Sequence, residues 1–418
     1  MLLFKAICFS LTILIPWLYI SKKNNNLFFN TIIYLPIILA FSYGTAIRPQ
    51  IFTYLFFSIT LFLLEYDGLK TRLSYIAFPL MFIVWVNSHG GVMAGLALVC
   101  FYAIYQFIFS NLLFENKKLS LKFEKESLKL FIIPLILFAV LIINPYFYKY
   151  YPYIVDAISM QRPFVEEWGS LFETMANFTY LNILVLITSI FIILNLRYLT
   201  VEKAYSIILI LLMMYLALNH VRHIPFFAIV CAFYLPCLIS CLLEKEDFYI
   251  RSLQVRKDFL AYLFIAISLI LIVISFIKDG KISYNLETNI KSTPQYVGYP
   301  VNTVDFIKRN NLKGNIITNF NWGEYIIYNL YPDIKVSFDG RYETVYPDNI
   351  VKDNLLFISG QPGWRKVLTR FNPDMVLVSK YDPVVYRMAY ESGWPIVYKD
   401  LEGFLFVNPQ KINFKTLK

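Results

Sequence analysis

Asn87-Ser88-His89-Gly90-Gly91 separates two apolar runs, Tyr75 to Val86 before it and Val92 to Phe109 after it. A polar pentapeptide with a histidine and a glycine pair is out of place within a lipid-facing helix. It reads as a tight turn at a membrane surface, with the glycines supplying backbone angles that other residues avoid. The runs on either side then cross the bilayer, and the rest of the chain parses in the same way.

Composition agrees with that reading. Of the 418 residues, 58% are apolar and 16% charged, whereas a soluble globular chain is nearer half apolar and about a quarter charged. Apolar runs approaching the roughly 20 residues of a membrane-crossing helix fall near 2–20, 29–47, 50–64, 74–87, 91–110, 129–144, 180–196, 204–219, 223–242 and 259–277. The expected fold class is an α-helical polytopic membrane domain of about ten spans over 1–277. In a soluble protein the net charge of +10 would suggest nucleic acid. Here it comes from Lys/Arg-rich loops held on the cytoplasmic side of the membrane, and no nucleic-acid partner is expected. Cys8, Cys100, Cys231, Cys237 and Cys241 all lie in apolar runs, which predicts buried thiols rather than disulfides or a metal site. The first run follows a single lysine, Lys5, and has no small-residue cleavage site, so it reads as a span and not a signal peptide.

Alternate loops are basic: Lys22/Lys23, Lys70/Arg72, Lys117 to Lys125, Arg197/Lys203 and Lys245 to Lys257. These are expected on the cytoplasmic side. The loops with Arg48, His89, 144–180 and His220 then face outward, as do the N-terminus and the tail after Lys278. The expected location is the cytoplasmic (inner) membrane. Long apolar runs cease in that tail. Strand-like runs at 315–318, 335–338, 375–379, 396–399 and 404–407 alternate with helical patterns at 301–311, 324–330, 364–371 and 384–392. This predicts a small extracytoplasmic α/β domain over 300–418, joined by a linker at 278–299.

The outward loops collect the polar residues. Arg48, Asn87, His89, His220, Arg222 and His223 are among them, and with them all three histidines of the chain. Arginine offers a planar fork matched to phosphate, and histidine can donate beside it. One reading makes these six a pocket for a lipid-linked phosphate. The other makes them interfacial anchors and helix caps, which need no ligand. Glu166 and Glu167 are an acidic pair in the same set of loops, able to act as general base or to hold a divalent cation, or simply to be solvated. Three histidines without a suitably spaced carboxylate make a poor zinc site. In the tail, Trp322, Glu324 and Tyr325 follow one strand, and Asp339 and Arg341 follow the next. Strand C-terminal ends are where α/β domains place binding groups, although Asn319, Gly323 and Gly340 also read as plain turn chemistry.

Arg48-Pro49-Gln50 with Phe52-Thr53-Tyr54, Trp85 to Gly91, Arg222-His223-Ile224-Pro225, Trp322-Gly323-Glu324-Tyr325 and Asp339-Gly340-Arg341 together resemble a group of bacterial multi-span proteins. That group is similar to the GT-C glycosyltransferases, and the resemblance runs over nearly the whole chain. It implies transfer of a sugar from a polyprenyl phosphate at the outer membrane surface. The donor phosphate would meet Arg48, His89, Arg222 and His223, and the outer domain would cover the site or bind acceptor. Residues 322–325 also resemble, more distantly, the Trp-Trp-Asp-Tyr-Gly stretch of oligosaccharyltransferase catalytic subunits, without its tandem tryptophan. Enzymes of the GT-C type carry an acid in the first outer loop. This chain begins at what resembles their second span, in keeping with its expected outward N-terminus. No catalytic acid is therefore assigned beyond the candidates Glu166 and Glu167, and no cofactor beyond a divalent cation. The competing expectation is a non-catalytic membrane protein that binds a lipid carrier or an envelope partner. A transporter fits less well, because the runs hold few central ionisable residues and show no matched broken helices.

Overall fold

The computed structural model describes residues 2–23, 27–44, 48–115, 118–121, 124–159, 166–171, 179–245, 298–342 and 345–417. They divide into two compact units. One holds Met1–Val155 and Gln161–Asp279, the other Gly280–Lys418 with the short piece Asp156–Met160. The expected tenth span at 259–277 and nearly all of the expected linker lie outside the described residues.

In the first unit the apolar runs fold as helices: α1 (Leu2–Lys23), α2 (Leu27–Phe41), α3 (Gln50–Asp67), α4 (Arg72–Val86), α5 (Val92–Asn111), α6 (Ile132–Val140), α8 (Thr179–Asn195), α9 (Val201–Asn219) and α10 (Ile224–Lys245), while α7 (Tyr150–Ser159), whose last four residues fall in the other unit, forms within the expected loop 144–180. A short hairpin, β1 (Leu112–Glu115) with β2 (Lys118–Leu121), follows α5. The sequence pattern held no signal for it. Helix α10 is the hub: α1, α2, α3, α8 and α9 pack around it, and every residue from Phe227 to Leu235 is buried. Leu3, Ile7, Leu11, Leu14 and Leu18 of α1 stay exposed at helical spacing. An apolar face left outward in this way suits lipid.

Among the described residues, four helices are long and apolar enough to cross a membrane: Leu3–Lys23, Val92–Asn111, Thr179–Tyr198 and Val221–Leu242. About ten spans are therefore not supported. An apolar run fixes burial but not the length of unbroken helix. The 129–144 run is divided among a 3-10 stretch (Lys125–Phe131), the 9-residue α6 and a turn, and nine residues rise only about 14 Å against a hydrocarbon core of about 30 Å. Helix α4 has 15 residues and ends at Asn87. Helix α3 runs past its expected end to take in Glu65 and Asp67.

The second unit is a three-layer sandwich. Its elements are α11 (Val301–Arg309), β3 (Gly314–Thr318), α12 (Phe320–Leu330), β4 (Ile334–Val336), α13 (Asp348–Ile358), α14 (Trp364–Phe371), β5 (Met375–Ser379), α15 (Val384–Glu391), β6 (Ile396–Lys399) and β7 (Gly403–Val407). The sheet order is β4-β3-β5-β7-β6. Strands β4, β3 and β5 run parallel, while β7 is antiparallel to both β5 and β6. Alternation along the strands makes two cores. Ile316, Met375, Leu377, Leu405 and Val407 pack under α11 and α12. Their neighbours Ile317, Val376, Val378 and Phe406 pack under α13, α14 and α15.

Candidate functional site

Helices α3 and α10 begin, and α2 ends, around one small cavity. Tyr43, Gly44, Arg48, Gln50, Tyr54, Glu167, Val221, Arg222 and Pro225 line it. Arg48 and Arg222, 174 positions apart in the numbering, thus come from different chain segments to one place. Gly44 is required there, because a Cβ would lie 2.6 Å from Pro225 Cγ and 3.0 Å from the Tyr54 ring.

Each arginine has a defined setting. Arg48 Nη1 is ion-paired with Glu167 Oε1, with about half of the Arg48 side chain exposed. The Arg222 guanidinium lies over the Trp168 ring, 4.4 Å from its centroid, a cation–π arrangement. The segment that carries Glu167 and Trp168 is spliced onto the α9–α10 turn. Leu171 N–H donates to Leu218 O at 2.9 Å, and Val221 N–H donates to Gly169 O at 3.2 Å. His220 Nδ1 sits 2.7 Å from Trp168 O, so this nitrogen carries the hydrogen and donates to the carbonyl. The His220 ring meets Trp168 and His223 edge-on, at 5.8 Å in each case. His220 and His223 therefore fix the turn that presents Arg222.

His89 is placed by a chain of hydrogen bonds. Trp85 Nε1–H donates to Thr53 Oγ1 at 2.9 Å. The Thr53 hydroxyl lies 2.9 Å from His89 Nδ1, and Gly91 N–H donates to the same nitrogen at 3.0 Å. Nδ1 is therefore an acceptor, and Nε2 carries the ring hydrogen. Burial, with the Arg222 charge adding to it, pushes the His89 pKa down from 6.5 to about 4, so the imidazole is neutral near pH 7 and acts as a hydrogen-bond donor rather than a cation. Gly90 and Gly91 do not serve the turn as expected. Neither has positive φ. Gly91 is there for close approach, since a Cβ would fall on Thr53 Oγ1 and 2.8 Å from His89 Nδ1.

Of the expected site residues, Arg48 and Arg222 line the cavity, and His89, His220 and His223 interact with Arg222 or its turn. Asn87 does not join them. Its Nδ2 donates to Ile83 O at 2.8 Å and Ile143 O at 2.7 Å, tying α4 to the turn after α6. Glu167 is engaged by Arg48, which argues against a free general base. Glu166 opens the same 3-10 turn, and its side chain lies outside the described residues. Among the described residues no group of three or more His, Cys, Asp and Glu is placed to hold a metal. All five cysteines are free, with Cys8 and Cys231 buried.

The tail residues form two local structures. Asn319 caps α12 by accepting from Trp322 N at 3.2 Å, and Trp322 is buried in the core. Asp339, fully buried, accepts from Arg341 N (2.9 Å), Nε (2.8 Å), Nη2 (2.6 Å) and the Tyr346 hydroxyl (2.5 Å). Burial opposes the Asp339 charge, and the Arg341 and Tyr346 hydrogen bonds outweigh it, holding the carboxyl below its usual range. Glu324 is exposed at the same strand end, its carboxyl against Gly340, and Tyr325 packs on Tyr299 at 5.1 Å. Turn and cap chemistry accounts for Asn319, Trp322 and Asp339.

Sequence reasoning missed Tyr43 and Glu65, and it quoted Thr53 and Trp85 within motifs without giving them a role in the site. Glu65 lies at the far end of α3 from Arg48, accepting from Tyr234 at 2.8 Å and Tyr19 at 3.2 Å with Lys23 at 3.8 Å. A charge closing an apolar run was the available signal. Compared with known protein families and with curated proteins, the chain shows no match.

Proposed function

We propose that the cavity of Arg48 and Arg222 binds the phosphate of a lipid-linked sugar at the outer face of the cytoplasmic membrane, in a GT-C-like multi-span glycosyltransferase with an extracytoplasmic tail domain. The observation that carries this reading is the meeting of two guanidiniums at helix ends in one aromatic-walled cavity. Two forks with neutral His89 close by suit a phosphate headgroup whose chain lies among lipid-facing helices. In transfer, the arginines would stabilise charge on the departing phosphate. Glu167 faces the cavity already paired with Arg48. That observation favours a second reading, a non-catalytic protein that binds a lipid carrier or an envelope partner.

The test uses the full chain in lipid nanodiscs. Arg222→Ala should weaken binding of a polyprenyl phosphate by about tenfold or more, the scale of a lost charge-assisted hydrogen bond, with the helical content unchanged. Transfer of sugar from the loaded lipid, abolished in the same variant, supports the enzyme reading. Binding without transfer supports the carrier-binding one. Equal binding by Arg222→Ala removes Arg222 from the site.

A further inference from the structure

Two guanidiniums lining one cavity repel each other, and here a carboxylate from another segment sits with them. Arg48 Nη1 holds Glu167 Oε1, and Glu167 lines the cavity beside Arg222 and Tyr54. A carboxylate offers a guanidinium the same acceptor pattern that two phosphate oxygens offer. The segment bearing it is a short strap. It is fixed by the backbone bonds of Gly169 and Leu171 to the α9–α10 turn and by Trp168 against Arg222 and His220. The ion pair itself is weak enough to exchange. Its side chains are 51% and 35% exposed, and pairs so exposed are stabilised little. A phosphate brings at least as much charge and more oxygens to the same two forks.

The geometry points to Glu167 as an internal stand-in for the ligand's phosphate, displaced when the ligand binds, so that the 166–171 strap is held by its own anion while the cavity is empty and loosens on loading. This rests on the reading of the cavity as a phosphate site. The strap explains why an acidic side chain lies in a cavity otherwise built for an anion. It also gives Glu167 a role other than general base.

The experiment compares wild type, Glu167→Gln and Arg48→Gln as full chains in nanodiscs, with farnesyl monophosphate as the probe. Affinity is measured together with hydrogen exchange of the backbone amides in 166–171 and 218–221. Glu167→Gln should bind the probe more tightly, by up to about fivefold, because no ion pair has to be broken first. Exchange in the strap should rise in Glu167→Gln without probe, and in wild type on adding it. Arg48→Gln should loosen the strap equally and yet bind more weakly. If wild type binds and Glu167→Gln binds no better, the stand-in is overturned while the phosphate site survives. If neither binds, the phosphate reading has failed and the stand-in falls with it. Glu167→Asp, which keeps the charge, guards against misfolding as the cause and should resemble wild type in strap exchange.

Discussion

A methyl group at Gly91 would land on Thr53 Oγ1 and 2.8 Å from His89 Nδ1, and Thr53 is fixed from behind by the Trp85 indole. Trp85 is fully buried, so Thr53 has no room to withdraw. Gly91→Ala should therefore destabilise the protein by about 1–3 kcal/mol, the usual cost of overpacking, and lower the thermal midpoint in detergent. Gly90→Ala is the control: nothing lies within 4 Å of a Cβ there and φ is not positive, so its midpoint should match wild type. Equal effects at the two positions would refute the close-approach account. At this scale the sequence disclosed cations better than their supports. Arg48 and Arg222 stand out because charge at the end of an apolar run is costly without a purpose. Thr53 and Trp85 lie within apolar helices, and nothing in their spacing shows that they aim His89. The glycine pair was conspicuous for a reason that proved different from turn geometry.

Elements followed their patterns where alternation or periodicity was long, and departed where one side chain sets the boundary. Strands β3, β5, β6 and β7 fall where β-branched and aromatic residues cluster, and β4 begins one residue before its expected run of 335–338 and ends two residues short of it, at Val336. Helix α13 was not foreseen. Its Val351, Leu355 and Ile358 are helically spaced, but Pro347 and the Asp348-Asn349 pair read as a loop. Asn354 interrupts its apolar face, and the fold uses that residue to bond Thr318 O at 3.2 Å across to β3. The β4 exit depends on Asp339. Four donors converge on this one buried carboxylate, while Arg341 is about half exposed and can fall back on water. Asp339→Ala should cost about 1–3 kcal/mol, since it removes the acceptor that all four donors share while the half-exposed guanidinium turns to water. Arg341→Ala should cost less, because the main-chain N–H of residue 341 and the Tyr346 hydroxyl stay on the carboxylate. Thermal unfolding of the two variants tests the order, and a larger loss at Arg341 would show that the pair, rather than the convergence on Asp339, holds the turn.

At the scale of the molecule, the two units bury their apolar residues by different rules. The first leaves large side chains such as Leu3, Leu80 and Leu186 exposed on its helices, as lipid allows and water does not. The second encloses both faces of its five-stranded sheet: Ile316 and Leu377 face one helical layer, while Ile317 and Val376 face the other. Closed on both sides, and within the usual size range of an independent domain, it contains within itself what a fold requires. The polypeptide 298–418 expressed alone should therefore be soluble and show mixed helix and strand in circular dichroism, with a single cooperative thermal transition. The Asp339→Ala effect should carry over to it unchanged, because all four donors to that carboxylate lie in the same unit. A polypeptide that aggregates or melts without cooperativity would mean that the sandwich depends on the rest of the chain. In that case Asp339 would have to be reinterpreted along with it.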